Sequence, residues 1–273
     1  MERPSRRWRK PAFGPAPTLA LALAAVLAGT AVLAGARPGP GAAPGDPIPR
    51  IECLPGYTTR VYAAGLIAPD GLAISPAGTL HVVEEWAGRV NQVDAAGNAT
   101  PILTGLNSPE GITFDPGTGA LYVVEDVQDG RLIERAADGT VTTLAQGLEA
   151  PEGVTWWDDT LYFTESNLEF ALLLNWRTRV AALPPGGPLT RVITNTPIVN
   201  GTQAQAWSYA GIAAGPDGRL YVGNELSGRE IGGLNLASTD SVFAVDPATG
   251  TRVLFASGLT ATEGLHFSPD GGF

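Results

Sequence analysis

Cysteine, lysine and methionine each occur once in the 273 residues, and histidine occurs twice. A single cysteine, Cys53, excludes an intrachain disulfide and reads as a small buried residue. One thiol and two well-separated imidazoles, His81 and His266, speak against a zinc site of thiolate and imidazole ligands. Neither histidine lies in a nucleophile motif and no Gly-x-Ser-x-Gly elbow occurs, so a Ser-His-Asp hydrolase has no machinery here. Positive charge is scarce as well. The one lysine is Lys10, and six of the 17 basic residues (Arg3, Arg6, Arg7, Arg9, Lys10, Arg37) lie in the first 37 positions. Beyond them 11 arginines face 26 acidic residues, a net charge near −15. Such a surface repels phosphate backbones, which argues against nucleic acid as a partner and for divalent cations.

Long apolar runs are absent but for one. Thr18 to Ala36 is unbroken by charge, follows the basic head Arg6-Arg7-Trp8-Arg9-Lys10, and ends in the small residues Ala34-Gly35-Ala36. Residues 1–36 are therefore expected to be a signal peptide or a transmembrane anchor, since such a run just spans a bilayer. Either reading implies an exported protein in the periplasm or at the cell surface, touching the membrane only through this segment. A lipid anchor is disfavoured because Cys53 lies far beyond the run. Residues 37–50, rich in Gly, Pro and Ala, are expected to be a linker.

What the sequence has in quantity is glycine (35) and proline (23), as tight turns require. They recur in phase. Gly65-Leu66-Ile67-Ala68-Pro69-Asp70-Gly71-Leu72 is echoed by Gly105-Leu106-Asn107-Ser108-Pro109-Glu110-Gly111-Ile112 and by Gly147-Leu148-Glu149-Ala150-Pro151-Glu152-Gly153-Val154. The phrase returns as Gly258-Leu259-Thr260-Ala261-Thr262-Glu263-Gly264-Leu265, with a weaker copy at Ser208-Tyr209-Ala210-Gly211-Ile212. Each full copy runs on through an apolar strand, a Pro- or Asp-Gly turn and a strand such as Leu80-His81-Val82-Val83 or Leu121-Tyr122-Val123-Val124. Helical crossovers are missing, which excludes a parallel α/β sheet. Residues 51–273 are thus expected to form an all-β fold, a β-propeller of four-stranded blades, with an insertion at about 167–208. Phe170 and Trp176 in that insertion either line a pocket or seal the loop onto the propeller. Gly56 to Leu66 resembles a blade-closing outer strand. Because Gly264 to Phe273 stops where a second strand should begin, the propeller is expected to be C-terminally truncated here and six-bladed when complete.

The position before each blade glycine holds Asp70, Glu110, Glu152, Ala210 and Glu263. On the innermost strands these side chains should converge at one mouth of the central channel. Like charges in a closed space destabilise one another, and a hard divalent cation with oxygen ligands relieves them. The alternative is local: each acid accepts N–H bonds from its own turn, a role that suits Asp better than Glu. A second acidic set follows the next strand, Glu84-Glu85, Glu125-Asp126, Glu165-Ser166-Asn167 and Asn224-Glu225, expected to orient ligands or water or to form an acidic rim.

These phrases resemble the six-bladed superfamily that includes the senescence-marker-protein/gluconolactonase enzymes, the strictosidine synthase-like proteins and the NHL-repeat propellers, over about Gly56 to Phe273. The resemblance implies a metal, most simply Ca2+, held in this column by Asp70, Glu110, Glu152 and Glu263, and a carboxylate, Asp70, that activates water. The implied activity is metal-dependent hydrolysis of a small lactone or ester. No asparagine stands in the column, whereas the gluconolactonase-like enzymes have one there. The alternative is a non-catalytic NHL-like propeller binding a protein or carbohydrate of the cell envelope.

Overall fold

In the computed structural model, residues 58–167, 177–195, 198–200, 203–205, 207–225, 230–231, 234–236, 240–259 and 262–268 are described. The chain divides into two units, Met1–Ala64 and Gly65–Phe273. In the second unit the first four copies of the turn phrase each open one antiparallel, four-stranded sheet. The first blade comprises β1 (Pro69–Ile74), β2 (Leu80–Glu84), β3 (Arg89–Val93) and β4 (Ala99–Thr104). The second comprises β5 (Pro109–Phe114), β6 (Leu121–Glu125), β7 (Gln128–Arg135) and β8 (Val141–Glu149). The third comprises β9 (Pro151–Trp157), β10 (Thr160–Asn167), β11 (Arg177–Leu183) and β12 (Thr190–Asn195). Between the third and fourth blades come β13 (Ile198–Asn200) and β14 (Gln203–Gln205). The fourth blade comprises β15 (Tyr209–Ala214), β16 (Leu220–Asn224), β19 (Asp240–Val245) and β20 (Arg252–Leu259). It is interrupted by β17 (Glu230–Ile231) and β18 (Leu234–Leu236), which join β13 and β14 in a small sheet of order β13-β14-β18-β17.

Turns are short and locally satisfied. Asp115 accepts the Gly117 N–H at 2.7 Å and the Thr118 hydroxyl at 2.6 Å, and Asp246 accepts the Ala248 N–H at 2.8 Å. The blades pack face to face through alternate residues of their strands. Val83, Val90 and Leu103 of the first meet Ile112, Leu121, Val123 and Ile133 of the second. Tyr122, Val124, Leu132 and Leu148 meet Val154, Leu161 and Phe163, and Val180 and Ile193 meet Ile212, Leu220 and Val222. Burying each such side chain stabilises the fold by roughly 1.5–3 kcal/mol, so the inter-blade layers are the core.

Several expectations need correction. Residues 177–195, expected within an insertion, are the outer half of the third blade, because Arg177–Leu183 pairs in continuous register with β10. The added structure is instead the small sheet, built partly from residues 230–236. Phe170 and Trp176 lie outside the described residues. Residues 58–64, part of the stretch Gly56 to Leu66 expected to supply a blade-closing outer strand, form no strand. The transmembrane reading is also corrected: no helix of the described residues is long and apolar enough to cross a membrane. The run Thr18 to Ala36 itself lies outside the described residues.

Candidate metal centre

The acid column owes its geometry to a fault repeated in every inner strand. Pro69 pairs with Glu84 and Leu72 with Val82, so Asp70 and Gly71 together oppose one residue. The same bulge falls on Glu110-Gly111, Glu152-Gly153 and Ala210-Gly211. Bulges bend a strand and re-aim its side chains. The residue before each proline adds to the turn. Ala68, Ser108 and Ala150 have φ of 45°, 46° and 42°, a left-handed conformation that side chains other than Gly adopt at a cost.

The glycine of each pair is required by the next blade. A β-carbon on Gly71, Gly111, Gly153 or Gly211 would collide with the carbonyl oxygen of Glu110, Glu152, Ala210 or Glu263 respectively. Inner strands therefore stack backbone against backbone at the level of the acids, and each acid sits one blade from the last.

A second contact brings the other acidic set into the site. The N–H of Glu85 donates to Ala68 C=O at 2.9 Å, and Asp126 to Ser108, Ser166 to Ala150 and Glu225 to Ser208 repeat that bond. Carboxylate oxygens of Asp70, Glu85 and Glu110 all lie within 4.8 Å of one another. All three residues are half-buried, and the Ser108 hydroxyl donates to Glu85 Oε1 at 2.9 Å. This cluster of oxygen donors is capable of coordinating a divalent cation.

Electrostatics extend the group. Burial, then the charges of Glu263 and Glu85, push Asp70 up to about 6. Burial, then Asp126, Asp70, Glu85 and Glu225, push Glu110 up to about 10. Asp126 rises to about 6 through burial and Glu85, tempered by a hydrogen bond with Glu110. Glu152 is raised well above the carboxylate range by burial and by Glu225, Glu110, Asp126 and Glu263. Every charge that perturbs these four groups belongs to another acid. Sharing protons is how a metal-free cluster of this kind stays neutral enough to fold, and a cation would displace them.

Of the four residues read from the sequence as metal ligands, Asp70 and Glu110 stand together with Glu85, while Glu263 acts on Asp70 through its charge and Glu152 is itself raised by burial and by acids that include Glu110. Ala210 leaves one blade without a carboxylate in the column, and Glu225, whose N–H donates to Ser208 C=O, holds in that blade the place of Glu85 in the first.

The second acidic set thus divides into two columns with different work. Glu85, Asp126 and Glu225 belong to the electrostatic group described above. The preceding residues Glu84 and Glu125, with Glu165 at the matching place in the third blade, are buried and tie the turn to the blade. Glu125 accepts the Asn107 N–H at 2.8 Å and both Nε and Nη2 of Arg131 at 2.6 Å. Glu84 accepts from the Ile67 N–H, Arg89 and Asn91; against the burial that would raise it, these donors hold its carboxyl below the usual range. Glu165 accepts the Glu149 N–H at 3.1 Å and pairs with Arg191 at 2.8 Å. The strand alternation that separates 84 from 85 was the available signal, since successive side chains leave a strand on opposite faces.

No family model and no curated protein matches the chain. Solved structures do match. A nidogen/laminin complex aligns with TM-score 0.55 at 20% identity, over 74% of this chain and 68% of that one. A gluconolactonase from Xanthomonas campestris aligns with TM-score 0.53 at 20% identity, over 86% of this chain and 93% of that one. A streptogramin B lyase aligns with TM-score 0.53 at 16% identity, over 76% of this chain and 61% of that one. At these identities the similarity is one of architecture: the chain shares with these structures the β-propeller fold of four-stranded blades.

Proposed function

We propose that the protein is a calcium-dependent hydrolase of a small lactone or ester, exported from the cytoplasm. The observation that carries this reading is the convergence of Asp70, Glu85 and Glu110 within 4.8 Å, amid further acids and with no counter-charge among the groups that perturb them. Flexible carboxylates from separate turns suit calcium better than magnesium, which demands a tighter octahedron. The basic head and apolar run of residues 1–36 support export.

Glu85 and Glu110 would hold the ion, with Glu152 and Glu263 lowering the potential around it. A bound cation supplies Lewis-acid polarisation of the substrate carbonyl. Asp70, at about 6, is mostly ionised at neutral pH and accepts a proton from the attacking water. As the acyl C–O bond breaks, the same carboxyl returns that proton to the departing alkoxide, giving a hydroxy acid from a lactone.

A second reading, a non-catalytic propeller binding an envelope protein or carbohydrate, is favoured by the fold shared with the nidogen/laminin complex. One experiment separates the two. Calorimetric titration with calcium chloride, on wild type and Glu110→Gln, is run beside turnover of a lactone and ester panel. Binding that is weakened in the variant, with turnover in the wild type, supports the hydrolase. Binding without turnover of any substrate supports the scaffold, and no calcium binding in the wild type removes the proposed mechanism.

A further inference from the structure

We infer that Trp86 and Ile67 form an apolar wall beside the acidic mouth, so that its ligand is a lactone or ester bearing an alkyl or aromatic group rather than a polyhydroxylated sugar lactone. The inference rests on the hydrolase reading above for the reacting group, and on separate residues for recognition.

Trp86 is the most exposed large apolar side chain among the described residues, at 79%. It directly follows Glu85, one of the three clustered carboxylates. Its turn is held at both ends: the Gly88 N–H donates to Glu85 C=O at 3.2 Å, and the Leu106 N–H to Gly88 C=O at 3.0 Å. An indole on a fixed turn loses little freedom when a ligand covers it, which makes its buried area count toward affinity.

Ile67 is 50% exposed and lies in the adjoining turn. That turn is joined to the first by the bond from Glu85 N–H to Ala68 C=O, and by Glu84, which accepts the Ile67 N–H. The two apolar side chains therefore stand on the two bonded turns that carry Glu85 and lead into Asp70. The matching positions are Asn107 and Val127 in the second blade, Glu149 and Asn167 in the third, and Trp207 and Leu226 in the fourth, where Trp207 is buried, so no other described pair is both apolar and exposed. A sugar-binding edge would be expected to pair its aromatic with hydrogen-bonding side chains; here the partner is isoleucine. The polar pole and the apolar wall thus fit a ligand with a carbonyl at one end and hydrocarbon at the other.

The test uses the calcium-loaded full chain and two ligand series. Turnover is measured for δ-valerolactone, δ-octalactone, δ-decalactone and glucono-δ-lactone. Binding is measured calorimetrically for 2-alkylcyclohexanones of matching chain length, which cannot be hydrolysed. Ketone affinity should rise roughly threefold per added methylene over the first few carbons. That gradient should flatten in Trp86→Ala and return in part in Trp86→Phe. Calcium affinity, measured in parallel, should not change. A gradient absent from the wild type, or undiminished in Trp86→Ala, overturns the inference whatever the turnover. Chain-length-dependent ketone binding with no lactone hydrolysed leaves the wall standing and removes the hydrolase reading.

Discussion

The carbonyl oxygen of Glu152 occupies the place that a β-carbon on Gly111 would need. The amide nitrogen of Val154 would stand 2.9 Å from the same point, so both neighbours are main chain and neither can swing away. Gly111→Ala should therefore destabilise the propeller by roughly 2–3 kcal/mol, as overpacking against rigid atoms does. Urea unfolding of the variant beside the wild type checks the loss.

Glutamates of the two columns should respond oppositely to the same substitution. Glu125→Gln breaks a two-pronged contact with Arg131 and should cost about 2 kcal/mol, because one buried partner is left without its charge. Glu85→Gln removes a charge from a group of like charges. Without calcium it should leave stability unchanged or raise it by about 0.5 kcal/mol, the scale of a partly exposed pair. Glu85→Gln should also weaken calcium binding, whereas Glu125→Gln should affect it only through stability. Paired denaturation and calorimetry would expose either failure.

Metal-free stability should fall as pH rises. Asp70 and Asp126 are raised in the fold from 3.8 to about 6, and Glu110 from 4.5 to about 10. The folded chain consequently binds more protons than the unfolded one across these windows. Stability from the two aspartates is complete below pH 3.8 and is lost as pH passes 6, while that from Glu110 drains between 4.5 and 10. Urea midpoints in chelator should thus be higher at pH 5 than at pH 8, other groups being equal. A midpoint that rises instead would contradict the clustering of charge described here.

Calcium should invert that trend. An ion must displace the protons held by Glu110 and its neighbours, so affinity should increase with pH and binding should release protons. Calorimetry at pH 7 in buffers of different ionisation enthalpy measures the release directly. In Glu110→Gln it should drop by about one proton per ion, since the group raised to about 10 is then gone.

Much of the fold was legible because turn residues and strand residues recur together. Pro69-Asp70-Gly71, Pro109-Glu110-Gly111 and Pro151-Glu152-Gly153 mark the inner strands, and Leu80, Leu121, Leu161 and Leu220 open the next ones. The outer strands carry no such phrase. Arg177–Leu183 and Thr190–Asn195 are ordinary β sequences separated from β10 by a longer connection, and were therefore hidden in what looked like an insertion. The column Asp70, Glu110, Glu152 and Glu263 could be read from the repeat alone. Glu85 could not be separated from Glu84 without knowing where β2 ends, because one residue of register exchanges the face buried against Arg89 for the face beside Asp70. Trp86 carried no signal, since its place in the repeat is held by valine, asparagine and leucine elsewhere.

The contact between each glycine and the next carbonyl is made by main chain alone, so the spacing between neighbouring acids does not depend on which side chain precedes the glycine. Position 210 already demonstrates this tolerance: Gly153 and Gly211 keep their contacts although the intervening residue is alanine. Chemistry at the mouth is in that respect interchangeable blade by blade. An acid, an amide or a methyl group can be installed at one position while the scaffold retains its dimensions, which lets one architecture be retuned for different ions and substrates by single substitutions.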